Sequence, residues 1–372
     1  MAINAMKVPA GDALDVLRAG WAAQRAGTLM ASYMLHGRPG VGKSEIVAQL
    51  ADEIGAKLFD LRLTTIEPQD LRGLPYYDHA AGKTVWYRPE DLPDDPDEPA
   101  ILFLDELTAA TPSLQPTVYG LLQDRRVGRH RLPDSVMVLA AGNAVEDGAI
   151  AYEMGTALSD RLIHLQVEAN ATDWLDNYAV PRGMHPAVTA FIRTRPDLLE
   201  TTEETLAQGH MIACTPRSWA RVSDILNAVS DRRQRNILVA GTVGDAVAAE
   251  FAIVADDVSA TVRVDEMLDE TPANRLGMYP DTLHGLTARV HGLVGSLDDA
   301  RAGDGSDIMA GLRDLAAKRD DAAFAKLPLA ELATYGFEAL MHKGMRDGLT
   351  DRFLASPAFQ AYMDERKELG LD

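Results

Sequence analysis

The sequence predicts an α/β protein with a mainly parallel sheet covered by helices, followed by a helical second half. Three observations carry that prediction. Short apolar runs alternate with patterns of helical period from about Leu14 to Val167, which is how a helix-covered parallel sheet is written. After about Asn170 the strand signals fade and helical patterns take over. The chain has 372 residues, too many for one ordinary domain.

Taken in order, Leu14, Leu17 and Trp21 recur at helical spacing, with Asp12 placed to cap them. Tyr33–His36 reads as a short strand, Ser44–Ile54 as a helix and Lys57–Leu63 as a strand. Pro89–Pro99 is rich in proline and acid, which forbids regular structure and favours a solvated loop. Beyond it, Ala100–Leu104 is an apolar run of buried-strand type, as are Val136–Ala141 and Leu162–Val167, with a helix at Leu114–Leu122. Helices are expected at Asp173–Ala179, Pro186–Thr194, Ser218–Val229, Gly244–Ala255, Ile308–Lys318 and Leu329–Met341. The expected organisation is an α/β core over 1–170, a helical lid over 171–255 and a helical extension over 256–372.

Composition narrows the function. Lys and Arg number 36 and Asp and Glu 56, a formal charge of −20, and such a surface repels phosphate backbones unless a local basic patch compensates. The single cysteine, Cys214, excludes a disulfide framework and a structural zinc site. Met1–Asp15 shows no apolar core followed by a small-residue cleavage site, and Asn236–Val254 is broken by Gly241, Gly244, Asp245 and Glu250. A cytoplasmic protein without a membrane partner is expected.

Two motifs carry chemistry. Gly37-Arg38-Pro39-Gly40-Val41-Gly42-Lys43-Ser44 fits G-x-x-x-x-G-K-[ST] between a strand and a helix. Its glycines let backbone N–H groups converge on a phosphate, Lys43 brings positive charge to the β- and γ-phosphates, and Ser44 can ligate Mg2+. Glu45 follows in the first helical turn and joins the expected nucleotide-binding set. In Ile101–Glu106, four apolar residues deliver Asp105 and Glu106 to the end of a buried strand. Asp105 would hold Mg2+ through its water shell, and Glu106 would polarise the attacking water. An Asp-Glu pair alone is usually a solvated turn; the phosphate loop upstream gives it meaning.

Together these motifs resemble the AAA+ ATPases, and within them the MoxR-like branch, over about Leu14–Leu226. Ala141-Gly142-Asn143 looks like the segment carrying the sensor 1 residue, which would be Asn143. Ala157–Leu162 looks like the segment whose arginine, here Arg161, reaches the γ-phosphate in the next subunit. Thr215-Pro216-Arg217 looks like the sensor 2 motif, and 67–88 occupies the place of a hairpin insert. Departures are Ala144 where MoxR-like proteins usually have Pro, and Leu162 where they have Phe. The resemblance implies ATP and Mg2+ as ligands and a self-assembled ring, a hexamer. It also implies a protein client, often with a partner bearing a von Willebrand factor A domain.

Asn143, Arg161 and Arg217 each have a bland alternative: a loop cap, a surface ion pair and a helix start. The aromatic stretches 73–77 and 83–87 flank Gly82 and read as a hairpin that either lines a ring or packs on its own domain. Arg125–Arg131 is the one dense basic cluster, facing nucleic acid or, as the surrounding acidity favours, a neighbouring subunit. Two other functions compete with the ring ATPase. One is a nucleic-acid motor of restriction type, which could use GTP. The other is a nucleotide-dependent scaffold, against which an intact Glu106 speaks.

Overall fold

Strands buried on both faces leave no room for polar side chains, so they read as unbroken apolar runs. In chain order the first half runs β1 (Lys7–Val8), α1 (Ala10–Arg25), β2 (Ser32–His36), α2 (Lys43–Ile54), β3 (Lys57–Arg62) and α3 (Pro68–Arg72). It continues with β4 (Pro75–Asp78), β5 (Lys83–Trp86), β6 (Ala100–Asp105), α4 (Gln115–Asp124), β7 (Arg126–Val127), β8 (His130–Arg131), β9 (Val136–Gly142) and β10 (Leu162–Val167). Every residue of β2, β6 and β9 is buried. The structure, a computed structural model, describes residues 4–143, 159–261, 278–280, 282–297, 302–316 and 324–368.

Six strands pair in the order β1-β10-β2-β9-β6-β3, and every pairing is parallel. The expected parallel α/β core is present. Its central strands are apolar because both faces are covered. Ile101 and Phe103 of β6 pack in one layer with Leu17 of α1 and Leu50 of α2. Leu102 and Leu104 pack in the opposite layer with Val118 and Leu121 of α4. Burying one such side chain stabilises by about 1.5–3 kcal/mol, so each strand is held from two sides.

Several local expectations change. Helix α1 begins after Pro9, and Asp12 lies in its first turn without capping through its side chain. The carboxylate there still faces the positive end of the helix. The 89–99 segment is irregular, but it is anchored: Leu92 is buried, and Arg88 donates to the carbonyl oxygens of Leu92, Pro93 and Arg131. The basic cluster is a small hairpin, β7 against β8. Arg125 at its base is buried and donates to the carbonyl oxygens of Pro133 and Val136. Its guanidinium is turned into the subunit. Arg126, Arg129 and Arg131 remain exposed.

The chain divides into two compact units, 1–169 with 202–209, and 170–201 with 210–372. The expected boundary at 255/256 falls inside the second unit. Among the described residues after Val167 there is no further strand. The helix Pro186–Thr194 has the predicted bounds, and Ser218–Val229 is observed as Pro216–Ala228, whose Thr215 caps the N–H of Ser218. The helix Arg232–Val243 is not legible in the sequence; it buries only Val239 and Val243, too few to show a period. Phe191, Trp219 and Phe251 come from three helices and meet with ring centroids 5.3–5.5 Å apart. A second cluster joins Leu286, Val290, Met309, Leu312, Phe337 and Phe353. Cys214 is fully buried, and burial pushes its thiol up to about 11, so it is a packing residue. No helix among the described residues is long and apolar enough to cross a membrane.

Two histidines, His185 half-buried and His291 buried, are expected to make this second unit acid-sensitive. Burial lowers His185 to about 4, with a smaller contribution from Arg235. It lowers His291, whose ring nitrogens have no partner, to about 3, with Arg193 adding to the effect. Both are neutral when folded and bind a proton near 6.5 when unfolded. Their stabilisation is therefore complete above about pH 6.5 and is lost as pH falls toward 4 and 3, at up to about 1.4 kcal/mol per pH unit for each group. The urea midpoint of unfolding should drop between pH 7 and pH 5, and His291→Leu should flatten that slope.

Candidate nucleotide site

Parallel sheets place their loops of one kind at the carboxyl ends of the strands, where ligands bind. Here β9 lies between β2 and β6. The loop after β2, the carboxylates ending β6 and the residue after β9 are therefore neighbours by construction.

The phosphate loop turns on glycines. Gly37, Gly40 and Gly42 have φ of +155°, +82° and +109°, which other residues rarely adopt. A Cβ on Gly37 would also come within 2.5 Å of the Val167 carbonyl oxygen. Gly42 stands just before α2, so the first N–H groups of that helix open toward the loop. Pro39 is exposed, Gly40 and Val41 are buried, and Glu45 is half-buried in the first turn of α2.

Lys43 is buried, and its ammonium donates to Gly37 O at 2.6 Å, Arg38 O at 3.0 Å and Asn143 Oδ1 at 2.8 Å. Three acceptors match its three donors, as a buried ammonium requires. Ser44 Oγ donates to Asp105 Oδ2 at 3.3 Å, and Asp105 Oδ1 accepts the Glu106 N–H at 2.9 Å. Glu106 adopts a left-handed backbone, φ 58° and ψ 35°, a conformation that costs on the order of 1–3 kcal/mol outside glycine. The turn aims its carboxylate away from the buried strand, where the Thr64 hydroxyl donates to Oε2. Arg62 lies 3.9 Å from Asp105 and 3.8 Å from Glu106, exposed enough to count for little.

Thr108 fixes Asn143. Its hydroxyl donates to Asn143 O at 3.0 Å and accepts the Asn143 N–H at 3.1 Å. Gly142 permits the approach, since a Cβ there would lie 2.6 Å from Thr108 Cγ2. Neither Thr64 nor Thr108 stands out in the sequence, because threonines in turns are common. Register supplies the missing signal. Arg62 pairs with Asp105, so residues just past β3 must meet residues just past β6.

Arg38 pairs with Glu203 at 2.6 Å, on the short helix Thr202–Ala207 of the same unit. The hydrogen bond and charge of Arg38 hold the Glu203 carboxyl below its ordinary range. Arg161 is exposed just before β10; Ala144, Ala157 and Leu158 of the quoted segments lie outside the described residues. Arg217 is exposed in the first turn of Pro216–Ala228, in the second unit. The structure thus brings together Lys43, Ser44, Asp105, Glu106 and Asn143, all within the first unit.

The hairpin forms as β4 against β5, with Tyr76 opposite Val85. Tyr76 and Tyr87 stack at 4.5 Å, while Trp86 is half-buried beneath the Arg72 guanidinium, also at 4.5 Å. Tyr77 and Tyr87 are its most exposed aromatics, at 73% and 62%.

Mg2+ prefers oxygen ligands and keeps several waters. Ser44 Oγ and Asp105 Oδ2 offer two such oxygens side by side, with room in the donor set for water and phosphate, so the residues fit the ion. Among the described residues no cluster of three His, Cys, Asp or Glu forms a separate metal cage.

Residues 32–162 match the family model of the AAA domain (dynein-related subfamily). That segment carries the phosphate loop and the Asp-Glu strand, and the match supports a P-loop ATPase site there. No curated protein matches the chain. Among solved structures it is similar to the P216G mutant of RuvB from Thermotoga maritima, with 16% identity over 66% of this chain and 70% of that one, at a TM-score of 0.37. The RuvB Holliday junction branch migration motor of the same organism gives 17%, 66%, 68% and 0.33. A Cytophaga hutchinsonii protein whose ATPase assignment is provisional gives 15%, 76%, 76% and 0.34.

Thr108→Val keeps the shape of the side chain and removes both hydrogen bonds to the Asn143 backbone. At about 0.5–1.5 kcal/mol each, the ATPase kcat should fall roughly tenfold with little change in nucleotide affinity. Steady-state kinetics with a separate binding titration check this.

Proposed function

We propose that the protein is a ring-forming ATPase of MoxR-like type that works in the cytoplasm and uses ATP hydrolysis to remodel or activate a protein client. The single observation behind this is the alignment of Lys43, Ser44, Asp105, Glu106 and Asn143 across three adjacent strand ends. Lys43 and the loop N–H groups would bind the phosphates, with Arg38, Pro39, Gly40, Val41 and Glu45 shaping the loop. Glu106 would take a proton from the attacking water, and Asn143 would orient that water. Ser44 and Asp105 would hold Mg2+, which when bound supplies positive charge to the phosphate oxygens. Arg161 would act on the nucleotide of a neighbouring subunit and Arg217 would sense it from the lid. A hexamer, and a partner with a von Willebrand factor A domain, are the assembly and client class this assignment carries.

A nucleic-acid motor is the second reading, and the exposed Arg126, Arg129 and Arg131 favour it. The burial of Arg125 removes one charge from that patch, and the net charge of −20 opposes it. Stimulation of ATPase activity by DNA or RNA, falling steeply with salt, would favour the motor; stimulation by a co-purifying protein favours the client.

Glu106→Gln is isosteric but cannot accept a proton, so hydrolysis should fall on the order of 10²-fold or more with ATP binding retained. Lys43→Ala should lose binding itself. Arg161→Ala should bind ATP and hydrolyse it poorly, and mixing it with Lys43→Ala should restore activity, since one subunit then brings the site and its neighbour the arginine. Arginines of this kind contribute on the order of 10³-fold or more in the best-studied hydrolases. ATPase rate against mixing ratio is the measurement, and a rate never above the sum of the parents excludes action in trans.

Tyr77→Ala and Tyr87→Ala should leave folding and basal ATPase activity near parent levels, because neither ring is buried in the subunit. Client-stimulated turnover should fall severalfold if the hairpin grips the client through these rings. Trp86→Ala, which uncovers Arg72, should lower stability as well.

A further inference from the structure

Two histidines, His36 buried and His164 half-buried, form a contact that the mechanism above leaves unused. His36 ends β2 and is followed at once by Gly37; His164 lies on β10, the next strand in the sheet. The rings meet edge to edge, nearly coplanar, with centroids 5.0 Å apart and planes at 15°, and His36 Nε2 lies 2.7 Å from His164 Nδ1. The far nitrogen of His164, Nε2, lies 2.9 Å from the carbonyl oxygen of Ser159. Ser159 stands two residues before Arg161.

The partners fix the protons. A carbonyl oxygen only accepts, so His164 Nε2 carries the hydrogen. In the tautomer with its hydrogen on Nε2, the His164 Nδ1 accepts, and His36 Nε2 carries the hydrogen that fills it. The result is one directional chain, His36 to His164 to Ser159 O. Burial lowers His36 to about 4, so it stays neutral as the chain requires.

We propose that His164 is a positioning residue for Arg161: it holds the Ser159 carbonyl, and through His36 it ties the arginine-bearing segment to the phosphate loop of the same subunit. The loop end of the tether is rigid, because Gly37 O accepts from Lys43 and Gly37 packs against Val167 O. The other end is the turn from which Arg161 is presented. Each subunit would thereby present its arginine in a geometry set by its own phosphate loop. This inference rests on the assignment of Arg161 as acting in trans.

The mixed-ring assay separates the two. In a mixture of Lys43→Ala and Arg161→Ala subunits, the first donates the arginine and the second the intact site. His164→Phe keeps an aromatic ring and removes both the Nδ1 acceptor and the Nε2 donor. Placed in the Lys43→Ala donor, it should reduce the restored ATPase rate on the order of tenfold, since misplacement by about 1 Å costs up to 10²-fold. Placed in the Arg161→Ala acceptor, it should change the rate by less than about twofold and leave ATP affinity unaltered. His164→Gln in the donor, whose amide can still reach the carbonyl, should recover most of the rate. Equal losses in both positions, or no loss in the donor, overturn the positioning role alone. Absence of restoration in the parent mixture overturns the trans assignment of Arg161 and this inference with it. Should His164→Phe fail to assemble, His36→Phe in the donor decides by the same comparison.

Discussion

The nucleotide site depends on one constraint: β2, β9 and β6 are parallel neighbours buried on both faces. Such strands must be apolar along their whole length, so polar chemistry is pushed to their ends. Because all three run the same way, those ends share one edge. Lys43 and Asn143 are 100 residues apart in sequence, yet their side chains meet at 2.8 Å without any long side chain having to search for its partner. Changing the register of β9 by one residue would send Met137 and Val138 to opposite layers and move Asn143 off the edge.

Short side chains then hold the edge in place. Thr64 holds Glu106, Thr108 holds the backbone of Asn143, and Ser44 holds Asp105. A threonine has little rotational entropy to lose when it is fixed, so such contacts are economical compared with long ion pairs such as those of Arg62. The left-handed turn at Glu106 is a local cost that this surrounding structure sustains.

What could be read from the sequence divides along the same physical line. Strand-loop-helix context makes Gly37–Ser44 legible, because backbone wrapping needs glycines at fixed offsets. Apolar runs make β6, β9 and β10 legible, and the alternation around Gly82 the hairpin. Arg125 misleads because a basic cluster looks like one surface, whereas its first member, itself left-handed at the end of α4, turns inward. Asp12 misleads because its cap position is one of several the pattern allows. Thr64, Thr108, His36 and His164 are invisible because their meaning comes from pairing across strands, which one linear sequence does not state. Arg161 is picked out by resemblance alone; the structure adds its place on the surface, at the entry to β10.

The helix Thr202–Ala207 belongs to the first unit although it comes after thirty-odd residues of the second, so the chain crosses between the units three times, near 169, 201 and 209. A single cut therefore never releases the first unit intact. Ending the chain at 169 would strip Glu203 from Arg38, and ending it at 209 would carry a length of foreign helix along. For gene fusion and domain shuffling, the nucleotide-binding unit is not a cassette, because its chain is interleaved with that of the second unit. Recombination that swapped only its leading segment would disturb the second residue of its own phosphate loop.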